Sequence, residues 1–183
     1  VALCLFAFAR PALHAQAVPT ASRRFDLQAG VGFVVDQTDY EPQKFKGFAL
    51  YATLDVTNHW GGELVFHQAN SGNGDGVYER TYELGPRYVR HYGRFSPYVK
   101  GMYGRGVFNF PIYPGSTQHP NLAYNLFAGG GGVDVRVLRF LNARIDYEYQ
   151  DWRSFPPTGL NPQVITFGVA YHFPGDLTQG RHF

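Results

Sequence analysis

The sequence predicts an all-β fold, a closed, eight-stranded, antiparallel up-and-down β-barrel that crosses a membrane. Three observations carry this prediction. Polar and apolar residues alternate with period two from Arg24 onward, the connectors alternate between short and long, and the composition suits no helical alternative. Of 183 residues, 44% are hydrophobic and 17% aromatic but only 16% are charged, with 22 Gly, 13 Tyr and 16 Phe. Helical bundles favour Ala, Leu, Glu and Lys, and disordered chains lack aromatics, so both classes are excluded. The length suits one domain. A formal charge of +2 without a dense Lys/Arg tract leaves no electrostatic footprint for nucleic acid. Mean hydropathy is −0.26. Beyond the first residues no run of about 18 apolar residues could span a bilayer as a helix, so a crossing is made by strands.

The N-terminus reads as a targeting segment. Val1 to Phe8 is apolar, and the stretch continues through Arg10 and Pro11 to Ala15-Gln16-Ala17, a small-x-small cleavage pattern. Residues 1–17 are expected to be a cleaved signal peptide, 18–173 the barrel and 174–183 a short C-terminal extension. The competing reading is a short N-terminal core helix. Cys4 is the only cysteine and lies in the leader, so the mature chain is expected to have neither a disulfide nor a thiolate metal site.

Each strand follows from its alternation. In the first, Phe25, Leu27, Ala29, Val31 and Phe33 share one face, with Asp26, Gln28, Gly30 and Gly32 on the other. The second, about Lys46 to Thr57, sets Phe48, Leu50, Ala52, Leu54 and Val56 against Ala49, Tyr51, Thr53 and Asp55. Leu64 and Phe66 oppose Glu63 and His67 in the third. Tyr78, Tyr82, Leu84 and Tyr88 oppose Glu79, Thr81, Glu83 and Arg87 in the fourth, and Val99, Tyr103 and Val107 oppose Lys100, Gly104 and Gly106 in the fifth. The sixth places Val133, Val135 and Val137 opposite Asp134 and Arg136, whereas upstream the apolar parity switches to Leu122, Tyr124 and Leu126. A β-bulge within Gly129 to Gly132 would absorb that slip. In the seventh, Ala143, Ile145, Tyr147 and Tyr149 alternate with Arg144, Asp146, Glu148 and Gln150, and the eighth carries Ile165, Phe167, Val169, Tyr171 and Phe173 on one face.

Thr57 to Gly61, His91 to Ser96 and Leu138 to Asn142 are tight turns, while Asp36 to Phe45, Ala69 to Gly76, Asn109 to Asn121 and Arg153 to Pro162 are longer. Short and long ends therefore lie on opposite rims, the asymmetry of a membrane barrel. A soluble lipocalin-like barrel also alternates, but with its apolar face inside. The aromatic weight of the apolar face favours the membrane form. A girdle of Trp60, Tyr88, Tyr78 and Trp152 is expected, Trp60 near the short-turn rim and Trp152 near the loop rim.

The last strand, Gly168-Val169-Ala170-Tyr171-His172-Phe173, ends on an alternating aromatic pattern, and Arg24 to Phe173 as a whole resembles the small outer-membrane β-barrel proteins of Gram-negative bacteria. That family includes the OmpA transmembrane domain and OmpX. The resemblance implies a monomer in the bacterial outer membrane, in contact with membrane lipid and lipopolysaccharide. It also implies that Phe167, Val169, Tyr171 and Phe173 form the signal read by the barrel-assembly machinery. The chain departs from the family by continuing through Pro174 to His182 and stopping at Phe183, which could take over part of that signal. No OmpA-type peptidoglycan-binding domain is expected, so wall anchoring is not carried over.

The interior polar set would be Asp26, Asp55, Glu63, His67, Glu79, Glu83, Arg87, Lys100, Asp134, Arg136, Arg144, Asp146 and Glu148. Buried charges must be paired or watered. Across the turn between the sixth and seventh strands, Asp134 can meet Arg144 and Arg136 can reach Asp146, giving a salt-bridged plug with Glu83, Arg87 and Glu148. A water-filled lumen is the alternative, because acids outnumber bases in this set. Arg80 and Arg105 fall on the lipid-facing parity close to the loop rim, where they could hold lipopolysaccharide phosphates or snorkel to water.

His67, Ser71 and a carboxylate such as Glu79 offer a weak hydrolase reading. The stretch from His67 is similar to the His-x-Ser-Asn of lipid A deacylases, except that Ala69 takes the nucleophile's place. Asn70 to Gly76 lacks the acidic series of a calcium loop, and no metal or cofactor is expected. The expected function is a non-enzymatic structural or surface-interaction role. In the loops Tyr40, Phe110, Ile112, Tyr113 and Phe155 are available to a surface partner whose nature the residues do not reveal. A small pore or hydrophobic-solute passage is the runner-up, with an outer-leaflet lipid-modifying enzyme after it.

Overall fold

The computed structural model describes residues 26–39, 42–73, 76–110, 121–156 and 158–173. The expected leader, Phe183, Tyr40, Ile112 and Tyr113 lie outside the described residues. Eight strands follow one another as β1 (Asp26–Gln37), β2 (Phe45–Asp55), β3 (Trp60–Asn70), β4 (Tyr78–Val89), β5 (Phe95–Asn109), β6 (Asn121–Leu138), β7 (Leu141–Arg153) and β8 (Gln163–His172). Each pairs antiparallel with the next, and β1 also pairs with β8, with Val31 opposite Val169. The sheet thus closes on itself and leaves no free edge.

Local chemistry sets the short turns. After β2, the amides of Val56 and Thr57 donate to the carbonyl of Trp60 at 3.0 and 3.1 Å. The Thr57 hydroxyl accepts in turn from the amides of His59 and Trp60, the side-chain mimicry of a backbone turn. Gly93, at φ 62°, supplies the left-handed residue of the turn after β4.

The alternation has one sense around the whole barrel. Leu84 and Val99 stand 63% and 61% exposed on the outer wall, while Glu63, Glu83, Arg87 and Glu148 of the opposite parity are buried. An apolar wall running over all eight strands is far larger than the patches soluble monomers tolerate. The barrel is therefore the membrane form and not the lipocalin-like one.

The expected bulge at Gly129 to Gly132 is absent. Those glycines pair continuously with Tyr98 to Gly101 on one side and with Asp146 to Tyr149 on the other. The only register shift of β6 against β7 lies between Arg136 and Leu138. Even-numbered residues face inward along β6 from Leu126 to Asp134, so the apolar residues change side because the interior itself becomes apolar toward the loop rim. Leu126 and Ala128 are buried, as Asp134 is.

Inward-facing glycines clear space for large rings. A Cβ on Gly30 would stand 2.4 Å from Cζ of Tyr51, and one on Gly106 would stand 2.4 Å from Cη2 of Trp152.

Candidate functional site: the lumen and its two rims

The lumen holds a charge network built from five strands, β3 to β7. Arg144 of β7 lies opposite Asp134 of β6. Its Nε donates to Asp134 Oδ1 at 2.7 Å and its Nη1 reaches across to Glu63 Oε2 of β3 at 2.9 Å. Arg87 of β4 donates to the same two acids, to Glu63 Oε2 at 3.2 Å and Asp134 Oδ2 at 3.0 Å. Lys100 of β5 lies 2.9 Å from Glu63 Oε1, 2.9 Å from Asp146 Oδ1 and 3.0 Å from Glu148 Oε2.

Two tyrosines missing from the sequence-derived charge set complete this layer. The Arg144 guanidinium sits 4.2 Å from the ring centroid of Tyr51 and 4.9 Å from that of Tyr98, and Arg87 lies 4.4 Å from Tyr98. Stacking of this kind lets two like-charged guanidiniums share a dry site. The hydroxyl of Tyr98 also donates to Asp146. Its even-numbered position beside Lys100 was the signal that could have placed it inside.

Above the network lie His67, Thr81, Glu83 and Gln150. His67 Nδ1 is 3.2 Å from Thr81 Oγ1 and 3.3 Å from Glu83 Oε1, and Thr81 donates to Glu83. Gln150 Nε2 donates to Glu83 Oε1 at 3.0 Å and to Glu148 Oε1 at 2.7 Å. His67 and Glu79 are both buried in the lumen rather than set on an outer lipid face, and Ser71 lies in the loop beyond β3, its hydroxyl accepting from the amide of Asn73.

An aromatic cluster packs inside the barrel toward its loop end. Phe108 and Phe155 meet edge to face with centroids 5.1 Å apart, Phe110 packs 4.7 Å from Phe108, and Tyr124, Leu126 and Leu160 join the cluster. Phe110 and Phe155, expected as exposed loop contacts, therefore turn inward.

Two further expectations are corrected. Trp152 is no part of an outer girdle. It is 0% exposed, packed against Gly106 and donating from Nε1 to Gln150 Oε1 at 2.8 Å. Its parity with Arg144, Asp146, Glu148 and Gln150 already assigned it inward. Arg136 does not reach Asp146, because in this register it lies opposite Asn142 at the short-turn rim, while Gly132 faces Asp146. There it lines a cavity of about 20 Å³ with Arg87, His91, Asp134 and His172, and it is exposed.

The outer face has its own order. Trp60, 56% exposed, meets Tyr88 at 5.1 Å on the short-turn rim, and Tyr171 meets Phe173 at 5.0 Å on the same rim. Phe167, Val169 and Tyr171 all point outward from β8. Toward the loop rim, Arg80 donates from Nε and Nη2 to Gln68 Oε1 at 3.2 and 3.0 Å and lies 5.1 Å from the ring of Tyr78. Arg105 on β5 is exposed and stands opposite Asn125, which in turn stands opposite Arg153.

Solved structures share this architecture. Ail, the attachment invasion locus protein of Yersinia pestis, is 17% identical with a TM-score of 0.58, covering 82% of this chain and 99% of its own. OprG from Pseudomonas aeruginosa is 17% identical at a TM-score of 0.60 over 82% of this chain and 97% of that one. Neisserial surface protein A is 12% identical at 0.60 over 81% and 97%. At such identities the likeness is one of fold. No curated protein matches the sequence. Residues 1–173 match the family described as outer membrane protein beta-barrel domain. With the closed eight-stranded barrel and its apolar outer wall, this match places the chain in the bacterial outer membrane, and it belongs to the outer membrane protein β-barrel domain family.

Proposed function

We propose that this outer-membrane protein works as a closed, non-enzymatic barrel whose filled lumen does not conduct, and that it acts through its outward surface. The observation that carries this reading is the position of Arg144, which joins Asp134 and Glu63 from opposite sides of the lumen. A cation held by two acids and two aromatic rings blocks the path an ion would need. An eight-stranded barrel is just wide enough for side chains to fill it. Among the described residues, small cavities of about 20 Å³ at the short-turn rim and about 10 Å³ beside Lys100 and Arg144 have room for roughly one water each, which supports a filled lumen. The aromatic cluster adds to that filling toward the loops.

Planar-bilayer recordings test this. The parent protein, shown by protease protection to have inserted, is expected to remain silent. Stable ohmic steps would favour the runner-up, a small pore. Lipid A mass spectra unchanged by expression are expected of a non-enzyme, and a new deacylated species would overturn that part.

The outward surface offers acidic lipid a specific contact. Gln68 and Tyr78 hold the Arg80 guanidinium in place, and Arg105 and Arg153 follow it around the loop rim. Arginine near the interface costs about zero to one kcal/mol against roughly 2–4 kcal/mol at mid-bilayer, and it suits phosphate through paired donors. The reading is that Arg80 and Arg105 contact lipopolysaccharide phosphates. Replacing both with Gln is expected to reduce the lipopolysaccharide that copurifies, and an unchanged amount would leave only snorkelling.

A further inference from the structure

We infer that His67, Glu83 and Glu148 form a buried binding site for one divalent transition-metal ion, with zinc the ion its donors suit best. The three residues come from β3, β4 and β7, all are buried, and one ligand atom from each lies within 4.8 Å of the others.

Two independent observations point to a missing cation. Glu83 is 1% exposed, its Oε2 is buried with no amide, hydroxyl or cation donating to it, and its carboxyl group lies within hydrogen-bond range of that of Glu148. Among the described residues eight buried carboxylates face three buried Lys or Arg side chains, a formal excess of five negative charges. Buried carboxylates in such excess need a proton or a cation between them. Lys100 cannot serve Glu83 as well, since its ammonium already lies within 3.0 Å of Glu63, Asp146 and Glu148, one acid for each of its three N–H groups.

The donor set selects the class of ion. Calcium and magnesium take oxygen ligands, whereas an imidazole nitrogen beside two carboxylates suits zinc and its first-row neighbours. Tetrahedral donors about 2.1 Å from zinc stand about 3.4 Å apart, so ligand atoms already within 4.8 Å of one another need only small side-chain adjustments to close on the ion. Three protein ligands leave a fourth position for water.

The ligands are also held in place. Trp152 donates to Gln150, and Gln150 donates to both Glu83 and Glu148. Thr81 donates to Glu83 as well. Outer partners of this kind orient metal ligands and tune affinity. The ion would tie three strands together across the lumen beneath the aromatic cluster. Buried there, it would stabilise the fold and not act on lipid.

The test uses the whole protein folded in detergent with either zinc or a chelator present, because the closed barrel gives an ion no ready entry. After desalting, elemental analysis is expected to find one zinc per folded chain in the first sample and none in the second. Cobalt(II) in place of zinc is expected to give the visible absorption of a low-symmetry N/O site. His67→Gln, which keeps the fold by gel mobility, is expected to lose the ion, with affinity down more than about 100-fold. His59→Gln is expected to retain it. Gln150→Ala is expected to weaken it about 10-fold, the size of effect seen when a ligand's orienting partner is removed.

Folded parent protein without zinc would overturn the proposal, as would His67→Gln protein that keeps as much zinc as the parent. A metal-free parent that is less stable than Glu148→Gln, and takes up no zinc, would assign the missing charge to a shared proton.

Discussion

Arg144 and Asp134 stand opposite each other on β7 and β6, and the guanidinium closes on the carboxylate through two bonds, Nε to Oδ1 at 2.7 Å and Nη2 to Oδ2 at 3.0 Å. Such a fork fixes distance and orientation together. Because Glu63, the Tyr51 ring and the Tyr98 ring hold the same guanidinium from β3, β2 and β5, one side chain links five strands.

Arg144→Glu removes the cation and adds an acid beside Asp134 and Glu63. Breaking a buried pair costs about 3–5 kcal/mol because the remaining charge is left uncompensated. The expected result is a lower urea midpoint for loss of the folded, gel-shifted band. Arg144→Met, which removes the charge without reversing it, should be less damaging. An Arg144→Glu midpoint equal to the parent's would mean that water, and not the network, balances these acids.

The two tryptophans report opposite environments. Trp60 is 56% exposed on the outer wall and Trp152 is 0% exposed inside. Brominated lipid is expected to quench the fluorescence of Trp152→Phe, which retains Trp60, and to spare that of Trp60→Phe. Equal quenching in both variants would return Trp152 to a lipid-facing girdle.

Gly30→Ala puts a methyl 2.4 Å from Cζ of Tyr51. Overpacking of this kind costs about 1–3 kcal/mol. A lower unfolding midpoint is expected, and Tyr51→Leu on the Gly30→Ala background should recover part of it by removing the ring. Gly72→Ala serves as the control, since a Cβ there meets nothing within 4 Å.

Much of the barrel was legible because strand periodicity is a local property. The run from Ala143 to Gln150 assigns its own faces without reference to any other segment, and the alternating connector lengths assign the rims. The same parity held the correct position of Trp152, where the expectation that tryptophan belongs in a girdle displaced it. At Leu126 the local pattern suggests a bulge that does not exist, for a physical reason: apolar parity marks the lipid face only where the lumen is polar, and the upper lumen is itself apolar.

The sequence by itself therefore determined the strands, their two faces and the rim to which each connector belongs. Only the tertiary structure decided which charges meet and which rings stack on them. It brought Glu63 of β3 to Arg144 of β7, left Arg136 opposite Asn142, and gathered His67, Glu83 and Glu148 from three strands. Those meetings depend on how far each strand is staggered against the next around a closed sheet. A stagger of two residues preserves every face while changing every partner, so no reading of single strands can supply it.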